Sequence, residues 1–147
     1  MDQSQNPLSL VTTVRVMFYD TDCAGVVHNV AYLRIIEYAR TLLAEKLGWK
    51  LTDLPETGIT PAVVRTEINY RRPGRIGDTL IISAEITSIE RSRFWCDFQI
   101  HRESDQELLT TCRQSLALVD IHSMRPVRLP ADWATKFPSL FQKQPTS

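Results

Sequence analysis

Three cysteines, Cys23, Cys96 and Cys112, are all the thiol this 147-residue chain contains. They are odd in number and widely spaced, so neither a disulfide framework nor a metal-ligand spacing can be drawn from them. They read as reduced, mostly buried small side chains. No apolar run approaches the roughly 18 residues that a membrane-spanning helix needs. The opening MDQSQNPLSL has neither a basic stretch nor an apolar core, so no signal peptide is expected. Charge of one sign is missing too, because 17 basic residues cancel 17 acidic ones. That balance argues against a nucleic-acid protein held by bulk charge. Repeats, low-complexity stretches and linkers are also absent. These readings leave a cytoplasmic domain with no membrane span and no nucleic-acid partner.

What is present suits one globular domain. Residues 1–10 and 142–147 read as flexible tails around a single domain at 11–141. A strand is predicted over Thr12–Tyr19, with Val14, Val16 and Phe18 on one side. After a turn-forming cluster at Asp20–Gly25 the period becomes helical. Tyr32, Ile35, Ile36, Ala39, Leu42, Leu43 and Leu47 recur at spacings of three and four, which predicts a helix over Asn29–Leu47, stopped by Gly48. From there the period is two. Strands are predicted over Ala62–Tyr70, Asp78–Ile89, Phe94–His101 and Leu108–Ile121, the last poorly alternating and open to a bulge. A short helix near Ala131 carries Trp133 and Phe137. One helix followed by a run of strands indicates an α+β fold, a long helix against a curved antiparallel sheet of about five strands. Its edges call for a second copy.

The strand-to-helix junction is where chemistry could sit. Asp20, Asp22, Gly25 and His28 stand just ahead of a helix N-terminus, whose free N–H groups and positive dipole end can hold an oxyanion. Acyl transfer needs such donors and a carboxylate to attack or to activate water. An aspartate before a helix is ordinarily a cap or turn former, so the residues alone define a plausible site and no particular reaction.

The segment from Val14 to Leu33, with Asp20-Thr21-Asp22-Cys23-Ala24-Gly25-Val26-Val27, then Tyr32 and Glu37-x-x-Arg40, resembles the 4-hydroxybenzoyl-CoA thioesterase family. The likeness extends through Asn69-Tyr70, Asp78, the Ile86–Phe98 strand pair and Leu116–Asp120. It implies the hotdog fold and hydrolysis of an acyl-CoA to free acid and coenzyme A. It also implies that Asp22 is the nucleophile or general base and that the backbone N–H of Asn29 is the oxyanion donor. Gly25 and Tyr32 would then belong to the substrate site. Thr60 and Pro61 resemble the segment that a neighbouring subunit lends, in a homodimer or homotetramer with shared sites. Arg91 and Arg93 match the family's nucleotide-contacting loop, and are preferred over the Arg71, Arg72, Arg75 cluster for binding coenzyme A. Some relatives carry His at the Asn29 position and Tyr at the Phe18 position. Their absence here leaves His28 as a nearby candidate for chemistry. No metal and no cofactor are expected beyond the coenzyme A of the substrate. The alternative is a hotdog protein that binds acyl-CoA or an acyl carrier without cleaving it.

Overall fold

The computed structural model describes residues 6–141. Its principal elements are β1 (Ser9–Arg15), α1 (Asn29–Lys46), α2 (Leu54–Thr57), β2 (Ile59–Tyr70), β3 (Thr79–Ile89), β4 (Arg93–Arg102), β5 (Leu108–Asp120), β6 (Arg125–Pro126) and α3 (Trp133–Lys136). The strands form one antiparallel sheet in the order β1-β3-β4-β5-β2, with β6 beside β5. The sheet curls round α1. This is the helix against a curved antiparallel sheet that the helix-then-strands pattern leads one to expect, and the hotdog fold that the family resemblance implies.

Alternation explains the burial. Leu80, Ile82, Ala84 and Ile86 of β3 and Phe94, Cys96, Phe98 and Ile100 of β4 point toward α1 and are buried. They meet Ala31, Tyr32, Ile35, Ile36, Ala39 and Leu43 on the helix. Each fully buried Ile or Leu here contributes about 1.5–3 kcal/mol relative to staying exposed. Three places skip a residue in the ladder: Val64 in β2, Thr87 in β3 and Leu109 in β5. The last accounts for the consecutive buried pair Leu109 and Thr110 at the start of that strand, since a bulge reverses which side chains face inward.

Three expectations need correction. The N-terminal tail does not run to residue 10, because Leu8 is fully buried and β1 starts at Ser9. Residues 1–5 and 142–147 lie outside the described residues. The first strand ends at Arg15, and Phe18, expected on its apolar face, is 81% exposed on a 3-10 turn over Phe18–Asp20. Val16 instead donates its N–H to Asp78 O at 2.8 Å and accepts from Gly77 at 3.0 Å, which ties the chain to the β2–β3 connection. The strands after α1 are not a simple succession, for β2 sits on the far edge beside β5. Cys23 is exposed, while Cys96 and Cys112 are buried as free thiols. Desolvation pushes Cys96 up to about 12 and Cys112 up to about 11, so both remain neutral at ordinary pH.

Candidate active site

Asp20 and Asp22 are two residues apart and do different work. Asp20 is only 2% exposed. Its carboxylate accepts the Met17 N–H at 2.9 Å and pairs with the Arg34 guanidinium on α1. Its carbonyl accepts the His28 N–H at 3.0 Å. It clips the turn to the helix, which an unpaired buried carboxylate could not do without a large penalty.

Asp22 is exposed. One carboxylate oxygen accepts the N–H groups of Ala24 at 2.9 Å and Val26 at 3.4 Å, and its backbone closes a small loop with Gly25 and Val26. Gly25 has φ +73°. That is the left-handed region where a side chain is costly. The loop is fixed by its neighbours. Val27 donates to Gly74 O at 2.8 Å and Ile76 donates to Gly25 O at 3.1 Å. The Tyr32 hydroxyl accepts the Gly74 N–H at 2.9 Å. A Cβ on Gly74 would come within 3.1 Å of Val27 Cγ2 and 3.3 Å of Tyr32 Oη, so a side chain there would push the two segments apart.

His28 is the N-cap of α1, its Nδ1 accepting the Ala31 N–H at 3.1 Å. An imidazole that accepts at Nδ1 carries its proton on Nε2 when neutral. The next two N–H groups, of Asn29 and Val30, have no acceptor among the described residues. They are first-turn donors at the positive end of an 18-residue helix.

Beside them opens a pocket of about 300 Å³ lined by Val27, Asn29, Tyr32, Tyr70, Arg71, Arg72 and Pro73. Tyr32 and Tyr70 form its aromatic wall, with ring centroids 5.5 Å apart. Burial, with Cys112 and Tyr32 nearby, raises the Tyr70 phenol above its usual value, so it stays a neutral donor. Among the described residues no group of three His, Cys, Asp or Glu side chains is placed to hold a metal ion. No helix among them is long and apolar enough to cross a membrane.

Of the sequence candidates, the structure brings Asn29 and Tyr32 to this pocket. Gly25 and Asp22 stand on the loop that leads into it, and Asp22 is not part of the lining formed by one chain. Thr60 and Pro61 lie at the other end of α1, beside Ala44, Gly48, Trp49 and Leu51. Arg91 and Arg93 flank the β3–β4 turn, where the Arg91 carbonyl accepts the Leu129 N–H at 3.4 Å. The chain packs that region onto the Trp49–Trp133–Phe94 cluster at the C-terminal end of the helix. An 18-residue helix is about 27 Å long, so within one chain these four residues are remote from the Asn29 N–H. The cations at the pocket are Arg71 and Arg72, from the cluster that sequence reasoning ranked second. Their signal was position, directly after the strand whose last residue, Tyr70, forms the pocket wall.

The family model described as the thioesterase-like superfamily matches residues 16–137. The acyl-CoA thioesterase YbgC of Haemophilus influenzae is 29% identical over 125 residues, covering 84% of this chain and 90% of that protein. The 1,4-dihydroxy-2-naphthoyl-CoA hydrolase of Synechocystis is 27% identical over 124 residues, covering 82% and 88%. Among solved structures, Slr0204, a 1,4-dihydroxy-2-naphthoyl-CoA thioesterase from Synechocystis, superposes with a TM-score of 0.78 at 24% identity. That superposition covers 90% of this chain and 97% of the other. The open helix tip, the carboxylate loop clipped beside it and a family match over most of the chain agree: this chain belongs to the thioesterase-like superfamily, as a hotdog-fold enzyme of the thioester hydrolase class.

Proposed function

We infer that the chain hydrolyses an acyl-CoA thioester to a free acid and coenzyme A, with Asp22 as the catalytic carboxylate and the Asn29 N–H as oxyanion donor. The observation that carries this is the unpaired pair of N–H groups at the tip of α1, opening onto a pocket of about 300 Å³. A thioester carbonyl set there would receive a hydrogen bond that strengthens as its oxygen becomes negative. Asp22 then acts in one of two ways. As a base it takes a proton from water while the water oxygen bonds to the carbonyl carbon, and collapse of the adduct breaks the C–S bond. As a nucleophile it displaces the thiolate itself, and water later cleaves the mixed anhydride. Either route releases the thiol of coenzyme A and needs no further cofactor.

The edge strand β2 supports a site shared between copies. Val63, Val64 and Tyr70 on it are 41%, 50% and 50% exposed, and an open edge invites pairing. Because β2 starts at the C-terminal end of α1 and finishes at Tyr70, an antiparallel β2–β2 pair about a two-fold axis would bring Thr60 and Pro61 of one copy beside the pocket of the other. It would also carry the β3–β4 turn, with Arg91 and Arg93, toward that pocket, where Arg forks suit the phosphates of coenzyme A. A homodimer, or a tetramer built from it, follows. The free, buried thiols of Cys96 and Cys112 fit work in the cytoplasm.

One observation favours a second reading, binding without cleavage: Asp22 is held by the Ala24 and Val26 N–H groups and does not line the pocket in a single chain. Thiol release from a panel of short, long and aromatic acyl-CoAs decides between them. Hydrolysis that falls about a hundredfold or more in a folded Asp22→Asn variant supports the enzyme reading. Binding of these thioesters with no release by the unmutated protein establishes the other.

A further inference from the structure

The segment that carries Asp22 is a small hairpin folded back on itself. The Asp20 carbonyl accepts the His28 N–H at 3.0 Å, Thr21 bridges Val27, and the Asp22 N–H reaches the Val26 carbonyl at 2.9 Å. One arm ends in Asp22, and the other runs through His28 into Asn29, where α1 begins. This ladder is made by backbone alone. It fixes the two arms to each other and leaves open the angle that the hairpin makes with the helix. On the return arm, Val27 is tied to Gly74. On the outgoing arm, the only side-chain hydrogen bond to α1 among the described residues runs from Arg34 to Asp20.

Asp20 is the residue type that this bond requires. Its side chain is 2% exposed, while that of Arg34 is 53% exposed. Oδ1 takes the guanidinium, and Oδ2 takes the Met17 N–H at 2.9 Å. Both oxygens are therefore needed as acceptors, which an ionised carboxylate supplies and an amide, with one oxygen, does not. A buried carboxylate parted from its cation is strongly disfavoured, so the pair stays closed. Arg34 also lies over the Tyr19 ring, 5.7 Å from its centroid, a contact that favours the same guanidinium position. It stands about a turn and a half beyond Asn29. The hairpin is thus anchored to the regular part of the helix, past the first-turn N–H groups that have no acceptor.

We propose that Asp20 and Arg34 are a positioning pair for the hydrolysis, setting the Asp22 carboxylate at a fixed height and angle against the Asn29 N–H. This rests on the roles inferred above for Asp22 and Asn29. Neither Asp20 nor Arg34 lines the pocket at the helix tip, so neither holds the substrate there. Their action is on alignment, where a displacement of about 1 Å is worth about a hundredfold in rate. Substrate binding uses the pocket walls and is left alone.

The test is a double-mutant cycle read by thiol release from acyl-CoA. Asp20→Asn alone is expected to lower kcat by about thirtyfold or more, with KM changed by less than about threefold. In the Asp22→Asn background no carboxylate is left to align, so adding Asp20→Asn should change the residual rate by less than about threefold. A merely structural aspartate would cut both rates by the same factor, and that result overturns the proposal. So does an unaltered kcat in Asp20→Asn. Melting temperature shows which variants are folded. Should Asp20→Asn not fold, Arg34→Gln, at a half-exposed side chain, takes its place in the cycle with the same expectations. No thiol release by the unmutated protein from any acyl-CoA overturns the hydrolase reading and this role with it. Release with equal factors in the two backgrounds overturns the positioning pair alone.

Discussion

The two ends of α1 are made from the same backbone and have opposite fates. At the C-terminal end the free carbonyls are taken up: Leu47 donates to Leu43 and Ala44, Gly48 to Glu45, and Trp49 back to Ala44. Trp49, Trp133, Phe94 and Phe137 then cover that end with ring centroids between 5.2 and 6.4 Å apart. At the N-terminal end one orphan donor is capped by His28, and those of Asn29 and Val30 have no acceptor among the described residues. One end adds to the core. The other retains unmet hydrogen-bonding capacity beside a pocket, and a developing negative charge is the ligand that capacity fits best. On the proposed mechanism, stability and chemistry are divided along one helix, each at the pole suited to it.

That division can be broken at either pole. Trp133→Ala should have the largest effect, about 3–5 kcal/mol of stability, measured by urea unfolding. Below the shifted transition it should leave catalytic turnover nearly unaltered, and a large loss of turnover in the folded variant would show that the poles are not independent. Asn29→Pro should do the reverse. Proline is tolerated at the first helical position, where it removes an N–H that the helix does not use, and the extended backbone of His28 at φ −79° and ψ 158° suits a following proline. Helix content by circular dichroism should hold while turnover falls about a hundredfold or more, the cost of losing an oxyanion donor. Retained turnover would remove the Asn29 N–H from the mechanism. The smallest effect is expected from His28→Ala, about 1 kcal/mol of stability from the lost cap with turnover changed by less than about threefold, roughly what 0.7 kcal/mol is worth. A much larger fall in turnover, with a shifted pH profile, would return His28 to the chemistry.

Local patterns were legible to within a residue or two where one face of an element is buried. The helix expected over Asn29–Leu47 spans Asn29–Lys46, and the strand expected over Asp78–Ile89 spans Thr79–Ile89. The junction carrying Asp20, Asp22 and His28 was equally visible, since turn formers before a helical period are a short-range signal. What could not be seen was how the two aspartates divide. Asp20 becomes structural through Arg34, 14 residues away, and Asp22 remains exposed because nothing comparable reaches it. That Arg71 and Arg72, and not Arg91 and Arg93, lie at this pocket within one chain was hidden for a similar reason. Distance along the sequence does not say which turn lies at which end of a helix.

The amino-acid order alone determined the periods, the caps, the turn chemistry and the family likeness, because those depend on neighbours a few residues apart. The tertiary structure alone decided that β2 crosses to the far edge beside β5, that Leu8 is buried where a tail was expected, and that Arg40 finds Gln114 across 74 residues. Each of these is set by packing between distant segments, where burial of apolar area and pairing of polar groups are settled only once the whole sheet has closed around the helix.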